Sequence, residues 1–278
     1  MNNSLISSKV SLNSLQQRLD LLADNIANLN TNGYKSKDAS FVDTLTRVQQ
    51  QEKDMTQLTG RSTPSGYNLG FGTKLSGLSL NFTQGAIKDT GLPTDVAIQG
   101  NALFRVRDAN GSVAWTRAGN FQLHPDPSIP GQAALVTSEG YSVLDTTGQP
   151  VSVPAGGKLQ IGADGTLTVT DGTGTFDMGR LQLDYVNRPE GLVELTDNRY
   201  GLVSGAVQGD VLTAVDTLVD GDPRFNKVSV RQGALEQSNV DISKEMTDML
   251  QVQRAYQLSA RALTSSEAMM NMANHLRG

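Results

Sequence analysis

The chain has 278 residues, a formal net charge of −5, 5% aromatic residues and no cysteine. The acidic balance argues against a uniform basic footprint for nucleic acid, and the absent cysteines exclude disulfides and thiolate metal sites. No run of about 18 apolar residues is present to cross a membrane as a helix, and the length suits one large or two modest domains with a mostly aliphatic core.

The first stretch carries the strongest period. Leu5, Leu12, Leu15, Leu19, Leu22, Ile26 and Leu29 fall at alternating steps of three and four, interrupted only by Ser8. This is an a/d heptad seam on an otherwise polar surface. It predicts a helix of roughly 40 Å, at about 1.5 Å per residue, that needs a partner, and the other end of the chain is the best candidate. The stretch lacks the charged and apolar blocks of a Sec-type signal peptide. Asn30-Thr31-Asn32-Gly33 marks its stop, with Gly33 suited to the left-handed position beyond a helix end. Asn25, Asn28 and Asn32 repeat beside the seam. They read either as fraying toward the turn or as amides that set the register of a second helix contact.

Residues 1–35 therefore form an N-terminal helical segment, and 36–89 read as an extended connection. Within that connection, 35–59 is polar around Phe41, Val42 and Leu45 and reads as a loop with a ragged helix. Residues 60–77 are rich in Gly, Ser and Thr and read as irregular chain. From Leu78 the period changes to two, as in Leu78, Leu80 and Phe82 and again in Val96 and Ile98. Phe104 and Val106 lead into Asp108-Ala109-Asn110-Gly111 with Val113 and Trp115 beyond, a hairpin signal. Further strand-like pieces follow at 121–123, 134–136, 142–144, 159–161, 167–169, 181–186 and 200–203, separated by turns such as Glu139-Gly140, Thr147-Gly148 and Asp164-Gly165. The pattern predicts an all-β domain over 90–205, with 206–237 as a return connection. Ser238-Asn239-Val240-Asp241 fits a capping box opening a second helix over 238–278. Ile242, Met249, Tyr256, Leu263 and Met270 recur there every seven residues, with Met246, Val252, Ala260 and Ala273 beside them. Glu245 and Asp248 lie early and Arg254, Arg261, His275 and Arg277 late, the polarity the helix dipole favours.

Little in the chain suggests chemistry. His124 and His275 lie far apart, the first before Pro125 in an expected turn. Gly156-Gly157-Lys158 lacks the leading Gly and the following Ser or Thr of a phosphate loop, and Gly70-Phe71-Gly72 has no strand-turn-helix context. Asp220-Gly221-Asp222 and Asp108-Ala109-Asn110-Gly111 lack the terminal Glu of a calcium loop. No Gly-x-Ser-x-Gly elbow or His-Glu-x-x-His pair occurs. The expectation is a non-enzyme without cofactor, metal, nucleic acid or small-molecule substrate.

Asn25-Ile26-Ala27-Asn28-Leu29-Asn30-Thr31-Asn32-Gly33-Tyr34-Lys35 resembles the N-terminal signature of the flagellar axial family, the rod and hook proteins of the bacterial basal body. Phe82-Thr83-Gln84-Gly85, Asp95-Val96-Ala97-Ile98 and Thr116-Arg117-Ala118-Gly119-Asn120-Phe121 are similar to its middle. Gly233-Ala234-Leu235-Glu236-Gln237-Ser238-Asn239-Val240-Asp241 and Gln253-Arg254-Ala255-Tyr256 are similar to its end. Pro64 to Gly72 looks like the insertion that marks the distal rod subunit. Gly100-Asn101-Ala102-Leu103-Phe104 departs from the family's Gly-Asp/Asn-Gly-Phe-Phe, which bears on a local turn.

The resemblance implies terminal helices paired as a coiled coil around a central channel, with the β domain facing outward. It implies a rod subunit that polymerises head-to-tail, transmits torque, and meets itself, other rod and hook subunits, the flagellar type III export apparatus, and periplasmic or outer-membrane ring proteins. It further implies export without a cleaved signal and ends that order late. The expected assembly residues are Leu12, Leu15, Leu19, Leu22, Asn25, Ile26, Asn28, Thr31, Gly33, Tyr34, Met249, Gln253, Arg254, Tyr256 and Leu263. A role in intrachain helix pairing alone is the other reading of these residues. Rival readings of the protein are a hook or proximal-rod member, a phage-tail-like tube protein, and a surface module whose β domain binds a ligand through clustered aromatics.

Overall fold

The computed structural model describes residues 2–45, 70–108, 110–125, 131–171, 174–217 and 228–275. They fall into two units. One joins 1–26, 37–79 and 242–278, and the other joins 27–36 and 80–241.

The first unit is helical with a two-stranded ribbon. Helix α1 spans Asn2–Ala27, and β1 (Lys37–Leu45) pairs with β2 (Gly70–Leu80). At 37–45 and 70–77 the ribbon replaces the loop, ragged helix and irregular chain expected there, and 46–69 lie outside the described residues. Its described side chains are mostly exposed, Leu78 included, so no inside-outside alternation marked it in the sequence. Helix α1 stops two residues before Leu29. There the Asn28 carbonyl accepts the Thr31 N–H at 3.2 Å and the Asn28 Oδ1 accepts the Thr31 hydroxyl at 3.1 Å, a local turn that competes with helix.

The second unit holds a one-turn helix, α2, at Gln208–Val211, and the C-terminal helix, α3, spans Ile242–His275, with Glu245 in its first turn and His275 in its last. Helix α3 begins four residues after Ser238, the expected cap. Ser238 Oγ instead accepts the Val240 N–H at 3.4 Å, and the Asn239 side chain is bonded to distant strands, so the chain cannot turn helical until Asp241 has passed.

The second unit is the β domain. Its main sheet runs β10-β8-β9-β5-β6-β16-β15, with β7 on β8, and with β14 bridging β5 and β17. At its centre β5 (Ala102–Arg107) and β6 (Val113–Thr116) form the expected hairpin, pairing Phe104 with Thr116 and Val106 with Ala114. Around them lie β7 (Gln122–Pro125), β8 (Gln132–Val136), β9 (Ser142–Val143), β10 (Ser152–Pro154), β14 (Leu183–Val186), β15 (Leu192–Glu194), β16 (Arg199–Leu202) and β17 (Leu212–Ala214). His124 lies within β7, not in a turn, because its neighbours pair with Ala133 to Val136. A three-stranded sheet is made by β11 (Lys158–Ile161), β12 (Thr166–Asp171) and β13 (Gly174–Arg180).

Two short ladders tie the far end of the chain into this unit. Strand β18 (Ser229–Gln232) pairs with β4 (Val96–Gln99), and β19 (Ala234–Glu236) pairs with β3 (Ile87–Asp89). The β unit therefore extends beyond 90–205 on both sides. Its core is mainly aliphatic, as the composition required: Val96, Ile98, Val106, Leu135, Val143 and Leu167 are buried, and Phe104 meets Phe121 edge-on at 5.0 Å.

Candidate functional site

The helical unit carries the seam residues. On α1, Leu12, Leu15, Leu19 and Ile26 are half-buried and Leu22 and Asn25 buried. On α3, the shielded positions include Glu245, Met249, Val252, Tyr256, Ser259, Leu263, Ser266 and Met270, spaced by four and three, with Asp248, Ala255 and Ala260 beside them. Ile242 and Met246, which the sequence placed on this seam, are exposed instead. Leu250, Leu258, Met269 and Met272 are exposed too, spread around the rest of the helix, Leu258 to 65%. Gln253 and Arg254 are also exposed.

Asn25 is the polar centre of this unit. Its Nδ2 donates to the Lys37 carbonyl at 3.0 Å and its Oδ1 accepts the Lys37 N–H at 3.0 Å. The same Nδ2 reaches Glu245 Oε2 at 3.4 Å, so one amide ties α1 to both β1 and α3. Burial raises the Glu245 carboxyl above its ordinary value; the Asn25 hydrogen bond and Lys244 pull the other way, while Asp248 and Asp38 add to the rise.

The rest of the N-terminal motif lies in the β unit. Gly33 has φ +69°, and a Cβ there would lie 2.6 Å from the Arg117 backbone, so only glycine allows the approach. Its N–H donates to the Glu236 carbonyl at 2.8 Å. Tyr34 is buried, and the Asn32 carbonyl accepts from Asn198 Nδ2 at 3.0 Å. Lys35 Nζ meets Glu236 Oε1 at 2.7 Å, and Arg117 Nε meets Glu236 Oε2 at 2.6 Å, all three side chains being 1% exposed. Backbone carbonyls complete the cluster: Thr83 for Lys35, and Ile98, Gly100 and Ala102 for Arg117. The Gly85 N–H adds a donor to Glu236 Oε1 at 2.8 Å.

Burial alone would raise the Glu236 carboxyl, but Arg117 and then Lys35 outweigh it and hold it below the usual carboxylate range. Burial, then the Arg117 charge, holds the Lys35 ammonium below its usual value against the pull of Glu236. Burial pushes the neighbouring Tyr200 hydroxyl up. The arrangement has the features of a fully satisfied structural ion cluster.

Three family descriptions match the chain: "Flagella basal body rod protein" over residues 11–35, "Flagellar hook protein FlgE/F/G D1 domain" over 97–169, and "Flagellar basal body rod FlgEFG protein C-terminal" over 231–276. The flagellar hook-basal body complex protein FlhP of Bacillus subtilis is 34% identical over 282 residues, covering 100% of both chains. The chain belongs to the flagellar basal-body rod family. Among its rod-family relatives, FlgG of Borreliella burgdorferi is 31% identical over 94% of each chain, and FlgG of B. subtilis 29% identical over 100% of each.

Lys35, Arg117 and Glu236 fall one in each of the three matched rod-family regions, and each lies in a motif that carried the resemblance. Sequence reading did not single them out. The available signal was a lone charge beside apolar strand residues, Arg117 after Trp115-Thr116 and Glu236 after Ala234-Leu235. Thr31, Gly33 and Tyr34 thus belong to the β unit of their own chain, whereas Leu12, Leu15, Leu19, Leu22 and Ile26 are shielded on α1, Met249, Tyr256 and Leu263 are shielded on α3, and Gln253 and Arg254 are exposed. Asp220-Gly221-Asp222 and most of Pro64 to Gly72 lie outside the described residues. Among the described residues no group of His, Cys, Asp and Glu is placed to hold a metal ion.

Proposed function

We propose that this chain is a structural subunit of the flagellar basal-body rod, at the distal rod, and that it carries out no reaction. Copies associate head-to-tail through their terminal helices into a stiff hollow shaft that passes torque to the hook. Within each copy α1 and α3 pair as a coiled coil through Leu12, Leu15, Leu19, Leu22 and Ile26 on one side and Met249, Val252, Tyr256 and Leu263 on the other. Asn28, Gln253 and Arg254 face neighbouring copies, and Thr31, Gly33 and Tyr34 root the helix end that makes those contacts. Its other partners are rod and hook subunits, the flagellar export apparatus that delivers it, and the ring proteins around the shaft.

The observation that carries this reading is that α3, beside the row shielded within the chain, leaves six large apolar residues exposed from Ile242 to Met272. So many large apolar side chains left in water along one helix favour a contact surface, and head-to-tail contacts that do not close give helical polymers. The rod names of full-length relatives support the same reading. The surface-module rival needs an exposed cluster of aromatics, and Trp115 is instead buried, with its Nε1 bonded to Asp184 Oδ2 at 2.5 Å.

Sedimentation and negative-stain imaging across a concentration series test the proposal. Filaments or tubes that form above a threshold concentration, and vanish in the double variant L250E/L258E, are expected. A wild-type chain that stays monomeric at every concentration, alone and when mixed with its rod neighbours, overturns it.

A further inference from the structure

Three backbone or side-chain groups of the segment after α1 take their partners from one short stretch near the other end of the chain. The Gly33 N–H binds the Glu236 carbonyl, the Lys35 ammonium binds the Glu236 carboxylate, and the Ser36 N–H donates to Asn239 Oδ1 at 2.8 Å. Asn239 Nδ2 also reaches the Asn81 carbonyl at 2.8 Å and the Thr83 carbonyl at 3.0 Å, while the Asn81 N–H returns to the Ser36 carbonyl at 2.8 Å. Glu236 and Asn239 thus join residues 33–36, residues 81–85 and the segment leading to α3.

The electrostatics make this joint conditional. Lys35 and Arg117 are two cations buried to 99%, and Glu236 is the carboxylate bonded to both. Carbonyl oxygens can solvate them in part, but a buried cation without a counter-charge is strongly unfavourable. A chain is made from its N-terminus, so residues 28–36 exist long before residue 236 does.

We infer that Glu236 and Asn239 act as a closing latch: residues 31–36 stay undocked from the β unit until the C-terminal return is seated. Residues 31–36 then lock only in a chain that already carries residues 236–239. The inference concerns folding within one copy and does not depend on the rod reading.

Hydrogen exchange on the full-length chain tests it, comparing peptides covering 31–36 with peptides from β5, β8 and β12. For E236Q, exchange in 31–36 should rise at least tenfold while the three core strands keep wild-type protection. N239A, which leaves no charge stranded, should raise exchange in the same segment by a smaller factor, and it decides the matter should E236Q fail to fold. In a K35M background, E236Q should raise the exchange of 31–36 by a smaller factor than in the wild-type chain, because one of the two cations bonded to Glu236 is gone while Arg117 remains. Wild-type protection of 31–36 in the folded variants overturns the latch. So does core exchange that rises together with 31–36, or an E236Q effect undiminished by K35M.

Discussion

Gly33 and Asp184 show how differently single residues hold the β unit. Gly33 combines a positive φ with an approach in which an added Cβ would sit 2.6 Å from the backbone carbon and oxygen of Arg117 and 2.7 Å from the Ala118 nitrogen. Neither backbone can yield without breaking the cluster behind it. Gly33→Ala should therefore destabilise the β unit by about 2–3 kcal/mol, read as a lowered midpoint in denaturant. Asp184 is wholly buried and receives Arg105 in a two-point fork at 2.7 and 2.6 Å, together with Trp115 Nε1 and Gln182 Nε2. Asp184→Asn keeps the shape and removes the charge; because Arg105 is partly exposed, the expected loss is about 2 kcal/mol, not the full penalty of a stranded buried ion. Glu245 supplies the pH dependence at this scale. Its carboxyl is raised in the folded chain, so its contribution is fully present below the ordinary glutamate value and is lost as pH rises through the raised one. Helix melting followed by circular dichroism should thus move upward as pH falls from neutral toward that ordinary value. Glu245→Gln should flatten the response. Glu236 has the opposite sign: its contribution persists above the ordinary glutamate value and disappears only as pH falls through its lowered one.

At the scale of elements, exposure separates two kinds of leucine on the helices. Leu22 on α1 and Val252 on α3 are buried in the isolated chain. Leu22→Ala should cost the helical unit about 2–4 kcal/mol through lost burial and the cavity left behind. Leu250 and Leu258 are more than half exposed, so Leu→Glu there should shift the melting of the single chain by no more than about 0.5 kcal/mol, yet raise the threshold for polymerisation steeply. Melting curves and sedimentation on the same samples check both outcomes. Which elements could be read from the sequence follows the same physics. The hairpin at 102–116 was legible from its Asn-Gly turn and flanking apolar residues, although β5 and β6 are buried on both faces, whereas β11 and β12 alternate as the sequence does. The two terminal helices were legible because an apolar period of three and four runs along each. The β1–β2 ribbon was not, since its partners are separated by the whole of 46–69 and its described side chains are mostly exposed. The helix starts and stops were misplaced by two or three residues because Asn28, Ser238 and Asn239 spend their side chains on turns and distant strands instead of on the helix ends.

At the scale of the molecule, the N-terminal motif has two jobs that a single truncation would confuse. Residues up to Ala27 build the seam, whereas Asn28 to Ser36 belong to the β unit and fill part of it, with Gly33, Tyr34, Lys35 and Ser36 all buried. That division was invisible in the sequence, where the motif runs unbroken from Asn25 to Lys35 and the partners that divide it, Arg117 and Glu236, are remote. It yields a paired prediction. A chain lacking residues 1–27 keeps the anchor, so its β unit should unfold at the wild-type denaturant midpoint while polymerisation and, in cells, swimming are lost. A chain lacking residues 1–35 also loses Tyr34 and leaves its site empty. Removing a large buried side chain opens a cavity, and comparable truncations cost about 3–5 kcal/mol, so this β unit should unfold at clearly lower denaturant. Equal midpoints for the two truncations would place the 28–36 segment outside the cooperative unit. Polymers from the first truncation would mean that α1 is not needed to join the copies, and the exposed apolar residues of α3 would have to supply the contact unaided.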